Sequence, residues 1–154
     1  MDGISLIAWA MLAALALAAV AFVHVFNRLV GARNACLNAR SSIEVNLKKR
    51  HDLVPNLVRV VRGYAEHERE LLHLVSEARR RAVASLGTAS SPHDEVALTQ
   101  ALRSLEARGE AYPDLQASEQ FLHLSKALTE IEEQISAARR AFNAHVMAMN
   151  NLVE

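Results

Sequence analysis

The sequence predicts an all-α protein: an N-terminal transmembrane helix followed by an antiparallel four-helix bundle. Three observations predict it. Hydrophobic residues make up 51% of the 154 residues, yet only five are glycine and three proline, a turn-poor composition. Residues 4–26 hold no charged side chain. Beyond them, apolar residues recur at three- and four-residue spacing almost to the end. A sandwich or barrel would need many strands and turns, and a disordered chain far less apolar content. One cysteine excludes a disulfide framework and a multi-Cys zinc site. A formal net charge of zero gives no case for nucleic acid as a partner.

The zero conceals three unlike segments. Residues 1–27 carry one charged side chain, Asp2; residues 28–81 carry twelve Lys/Arg against six Asp/Glu; residues 82–154 carry five against ten. The domains follow: residues 1–27 as an anchor and 28–154 as the bundle.

The 23 residues from Ile4 to Phe26 span about 34 Å as a helix, at ~1.5 Å per residue, enough for a hydrocarbon core of ~30 Å. A cleaved signal peptide fits poorly, because no Lys or Arg precedes the run and the run exceeds the usual h-region. Arg28, Arg33 and Arg40 follow it, so the amino terminus should lie outside and the rest in the cytoplasm. A reduced compartment suits the lone Cys36. Ala10, Ala14 and Ala18 form a small-residue stripe where another helix could approach, although alanine is common enough here for chance to produce it.

A first helix after the anchor should bury Phe26, Leu29, Val30, Cys36, Leu37, Ile43 and Leu47. Asp52 can cap a new helix with Pro55 in its first turn, which places a reversal near 51–53. The rival is one long helix kinked at Pro55, supported by the register through Val54, Leu57, Val58 and Val61. The second helix continues with Tyr64, Ala65, Leu71, Leu72, Val75, Ala78 and Ala82 to about Leu86. Gly87 suits the C′ position. Residues 87–93 form a loop, and Ser91-Pro92 starts a short third helix ending at Arg108-Gly109. Tyr112-Pro113-Asp114 is a turn. The last helix carries Phe121, Leu124, Leu128, Ile131, Ile135, Ala138, Phe142, His145, Met149 and Leu152, a coiled-coil-like seam.

Several of these segments resemble the LemA family: Phe26-Asn27-Arg28-Leu29-Val30, the run from Ile43 to Val58 around Asp52-Leu53-Val54-Pro55-Asn56-Leu57, Gly63 to Glu68, Tyr112 to Leu115, and Ile135 to Asn143. The resemblance covers about residues 26–150. It implies a bacterial, single-anchor protein with a cytoplasmic helical bundle, in a family with members linked to membrane invagination and organelle formation in magnetic bacteria. It implies no enzymatic activity and supplies no catalytic residues. Relatives continue into an apolar, proline-bearing tail, whereas this sequence stops at Glu154.

Residues that could carry chemistry are few. Glu70 and His73 make one E-x-x-H, but a di-iron bundle needs two copies and further Glu ligands; Glu119 and His123 are a weaker substitute. Both pairs fit solvated faces, as does His67. His145 lies on the seam, where a bonded interior histidine is expected, and Cys36 fits a small core residue. No nucleophile elbow, P-loop or zinc spacing is present, so neither an enzyme, a cofactor nor a metal is expected. The basic residues say more. After a reversal at 51–53, Arg79, Arg80 and Arg81 would return toward the bilayer, and Arg139 and Arg140 would descend to it. With Arg28 and Arg33 they would form a lipid-binding collar on anionic headgroups, each charge worth ~1 kcal/mol. A solvated face paired with the acidic helices explains them equally well. The expected function is a non-enzymatic scaffold of the bacterial inner membrane, a homo-oligomer that organises or remodels it. The alternative is an adaptor recruiting a membrane protease, chaperone or other partner through its bundle.

Overall fold

The computed structural model describes residues 3–65, 67–88 and 91–153. They form five helices: α1 (Gly3–Tyr64), α2 (Arg69–Ser85), α3 (Ser91–Gly109), the single turn α4 (Pro113–Gln116) and α5 (Glu119–Asn150). No strand occurs among the described residues. The chain divides into two compact units. One is Arg40–Arg139; the other joins Met1–Ala39 to Arg140–Glu154.

The expected reversal at 51–53 does not occur. α1 runs 62 residues through Asp52 and Pro55, so the long-helix alternative is the correct one. The reason lies in the register and in one side chain. Leu47, Val54, Leu57, Val58 and Val61 stay on one buried face, so no apolar contact is gained by turning early. Proline lacks the N–H that would bond the carbonyl four residues back, which is His51. That carbonyl instead accepts a hydrogen bond from Arg79 Nε at 2.6 Å. The interior proline therefore leaves no orphan acceptor at His51.

The chain turns after Tyr64. Ala65 N still bonds Val61 O at 2.9 Å, and Glu68 N then closes a tight turn on Ala65 O at 3.1 Å. Gly63 weakens the helix there, and a polar stretch, His67-Glu68-Arg69, interrupts the stripe. The side chain of Glu68, at the N-cap of α2, does not cap the helix. It accepts the Tyr112 hydroxyl at 3.0 Å and lies 3.6 Å from Arg108 Nε, tying this turn to the end of α3.

α2 buries Leu72, Val75, Ala78 and Ala82, as its spacing predicts, while Tyr64 points outward. Gly87 adopts a φ of 82°, the left-handed value that suits glycine after a helix. Of the loop expected at 87–93, residues 89 and 90 lie outside the described residues, and α3 begins at Ser91. Tyr112 occupies the N-cap position of α4 with Pro113 in its first turn, so the expected turn there carries one helical turn.

In the unit Arg40–Arg139 the main core joins α1 to α2, α3, α4 and α5 through Val54, Leu57, Val61, Leu72, Val75, Leu98, Leu102, Leu105, Leu115, Phe121 and Leu128. A second cluster packs Leu47 with Ile131 and Ile135. Farther along α1, Asn56, Arg59 and Val60 share a groove with Glu119, Gln120, His123 and Leu124. The two pairings together make α5 antiparallel to α1.

In the other unit the cover is thin. Cys36 and Ala39 are buried, Ala32 and Ala35 half-buried, while Phe26, Leu29, Val30 and Leu37 stay exposed, against expectation. On α5, Phe142, Val146, Met149 and Leu152 are half-buried at helical spacing. His145 is exposed rather than interior. From Trp9 to Leu29 every residue is exposed. This stretch is long and apolar enough to cross a membrane.

Candidate functional site: a buried ionic centre

The residues nearest the abandoned reversal form the most polar point of the core. Arg50 and His51 follow Leu47 by three and four residues and precede Val54 by four and three, so a continuous helix turns both inward. On α3, Glu95 stands in the stripe Ser91, Glu95, Leu98, Leu102, Leu105. Arg50 and Glu95 are each 1% exposed and His51 is 2% exposed.

The three side chains bind one another, with Thr99 and Glu132 as further partners, and the buried Arg50 Nε is left without an acceptor among the described residues. Arg50 donates through Nη2 to Glu95 Oε2, and through Nη1 to Glu132 Oε1 and to Thr99 Oγ1, the last at 2.9 Å. His51 Nε2 lies 2.8 Å from Glu95 Oε1. An ionised carboxylate can only accept, so His51 donates from Nε2. The Thr99 hydroxyl in turn donates a hydrogen bond to the Glu95 backbone carbonyl at 3.0 Å. Burial pushes the Glu95 carboxyl up, but the His51 hydrogen bond and the charges of Arg50 and His51 outweigh it, so Glu95 titrates below its ordinary value. Glu106, about three turns farther along α3, moves the other way, raised by burial and by the Glu132 charge against the opposing pull of Arg103. The Tyr112 hydroxyl is also raised, chiefly because its hydrogen bond to Glu68 favours the protonated form.

Chemically, this centre fixes register. A buried charge pair contributes little net stability, but it penalises any packing that separates the partners. It ties α1 to α3 and α5 at one height, and Arg79 ties α2 to the same turn of α1. The sequence does contain the signal: three ionisable side chains standing on apolar stripes. A helix start placed at Asp52 takes Arg50 and His51 out of the stripe and hides it.

The other singled-out residues are scattered. Glu70, His73 and His67 are exposed on or before α2, and Glu119 and His123 line the groove beside Arg59. Among the described residues, no three His, Cys, Asp or Glu side chains gather as a metal-ligand set. Of the basic residues proposed for lipid, Arg28, Arg33 and Arg140 belong to the unit of Met1–Ala39 and Arg140–Glu154, whereas Arg79, Arg80, Arg81 and Arg139 belong to Arg40–Arg139. Arg79 is held by the His51 carbonyl and Arg80 pairs with Glu77; Arg28, Arg33, Arg81, Arg139 and Arg140 are exposed.

The Protein LemA of Metamycoplasma hominis is 27% identical over 128 residues, which is 82% of this chain and 58% of that relative. The chain thus spans less than two thirds of the length of the relative it matches. The family model described as LemA family matches residues 39–154, which include all of α2 to α5 and the ionic centre. The chain belongs to the LemA family.

Proposed function

We propose that the protein is a non-enzymatic scaffold of the bacterial inner membrane, anchored by the first part of α1 and self-associating to organise or remodel the bilayer. The observation that carries this is the bare apolar stretch of α1, with Trp9 at 70% and Phe22 at 71% exposure. So much uncovered apolar surface is unfavourable in water and requires lipid or other helices around it. Arg28, Arg33 and Arg40 after it favour an outside amino terminus and a cytoplasmic four-helix bundle of α1, α2, α3 and α5. Arg28, Arg33, Arg139 and Arg140 are offered to anionic headgroups, with Arg80 and Arg81; Arg79 is held at Nε by the His51 carbonyl.

Self-association is supported by apolar side chains that stay exposed beyond the span, among them Leu37, Val45 and Met147. The basic segment 28–81 and the acidic segment 82–154 can also attract between copies. Sizing the protein in mild detergent tests the reading. A large homo-oligomer is expected. A strict monomer over a wide concentration range would defeat it and favour an adaptor, which would use the groove between α1 and α5 at Val60 and Leu124 as a partner site.

A further inference from the structure

The α1–α2 face of the unit Arg40–Arg139 holds two adjoining clefts. The larger, about 600 Å³, is lined by Arg62, Arg69, Leu72, His73 and Ser76. The smaller, about 300 Å³, is lined by Val54, Pro55, Val58, Arg59, Arg62, Ser76 and Arg79. Arg62 and Ser76 are common to both. Four arginines and a histidine thus meet along one groove whose described lining contains no Asp or Glu.

Several described acidic residues of these helices already have partners, while Glu70 is exposed on α2 and Glu119 stands beside Arg59 in the separate α1–α5 groove. Glu77 pairs with Arg80, Glu68 binds Tyr112 beside Arg108, and Glu95 is occupied by Arg50 and His51. Arg59, Arg62 and Arg69 have no ion pair among the described residues. Guanidinium groups gathered in a groove whose described lining holds no carboxylate repel one another, and that repulsion is relieved when an anion binds among them.

One member is also pre-positioned. Pro55 frees the His51 carbonyl, that carbonyl holds Arg79 Nε at 2.6 Å, and the guanidinium so held forms part of the smaller cleft wall. A planar fork fixed at Nε keeps its Nη groups for a second acceptor, and phosphate oxygens match that fork. The α2 N-terminus, whose N-cap side chain does not cap it, begins at Arg69 beside the larger cleft and adds favourable dipole for an anion.

We infer that this α1–α2 groove is a binding site for a diphosphate-bearing anion, one phosphate held by Arg62, Arg69 and His73 and the other by Arg59, Arg62 and Arg79. The same chemistry is offered by a soluble diphosphate and by a lipid headgroup with two phosphates. The test uses the full chain in neutral detergent micelles. Inorganic pyrophosphate is titrated by calorimetry, and cardiolipin is doped into the micelles in a parallel series.

Saturable binding of either probe is expected. It should weaken about tenfold or more in Arg62→Gln/Arg69→Gln, since each lost contact is a charge-assisted hydrogen bond. It should be unchanged in Arg103→Gln, which removes an exposed charge outside the groove. Circular dichroism should show both variants as helical as the parent. Pyrophosphate binding places the source in solution; binding of cardiolipin alone places it in the headgroup region. Absence of binding by both probes, or binding that survives Arg62→Gln/Arg69→Gln, would overturn the assignment.

Discussion

Removing the Glu95 carboxylate should be among the most damaging single changes in the Arg40–Arg139 unit. Glu95→Leu keeps the volume but deletes the acceptor of two hydrogen bonds, from Arg50 and from His51, in a site 1% exposed. The Arg50 guanidinium then keeps only Thr99 and Glu132, whose side chain is 36% exposed and shares its charge with solvent. Breaking a buried pair from one side costs ~3–5 kcal/mol, and the surviving Glu132 contact puts this case near the lower end, about 3 kcal/mol. Arg50→Met in the Glu95→Leu background removes the stranded charge and should recover at least ~1 kcal/mol, although His51 still lacks its acceptor. Urea unfolding of the full chain in non-ionic micelles, followed by circular dichroism, reads all four proteins of the cycle. Additive losses in the double variant would refute the reasoning, because they would mean that Arg50 and Glu95 do not hold each other.

Further outcomes follow from single contacts. Glu95 titrates below its ordinary value of 4.5, so its stabilisation is complete above that value and is lost as pH falls through the lower native one; in Glu95→Gln the acid-side loss should shrink. Glu106 is raised, so its contribution is lost as pH rises through its native value, and Glu106→Gln should be more stable than the parent at neutral pH in the same urea assay. Arg79→Gln should cost ~1–3 kcal/mol in the parent, because the His51 carbonyl loses its donor, and clearly less in Pro55→Ala, where a backbone N–H replaces it; equal losses would deny the link. Tyr112→Phe should cost about 1 kcal/mol by the same unfolding measurement, by removing the donor to Glu68 at the N-cap of α2. In a Cys36→Ala background, a cysteine at position 2 should react with an impermeant reagent on intact cells and one at position 153 should not; the reverse pattern would invert the proposed topology.

The all-helical class, the apolar N-terminal stretch and most helix ends were legible because each rests on local signals: spacing, Gly87, Ser91-Pro92 and Pro113. The α1–α2 turn was not. Asp52 and Pro55 have the local chemistry of a helix start, and only Arg79, distant in sequence, makes the interior proline tolerable. The misplaced turn had consequences for the core. It removed Arg50 and His51 from the buried face, and it left the contact of Arg79 with the His51 carbonyl of α1 out of view. His145 failed for another reason. A seam read at 3-4 spacing says which face a residue is on, not whether anything covers it, and α5 is only half covered there.

The central structural claim is that the helix carrying the apolar stretch continues without reversal past Pro55 as a helix of the core. A spin-label distance between cysteines at Ser41 and Arg62, both exposed on α1, tests it most directly. In one continuous helix the two backbone sites are about 31 Å apart along the axis, at ~1.5 Å per residue, and the account predicts a narrow distribution near that value. A reversal at 51–53 would bring them side by side at roughly 8–10 Å, and a distance in that range would contradict the account.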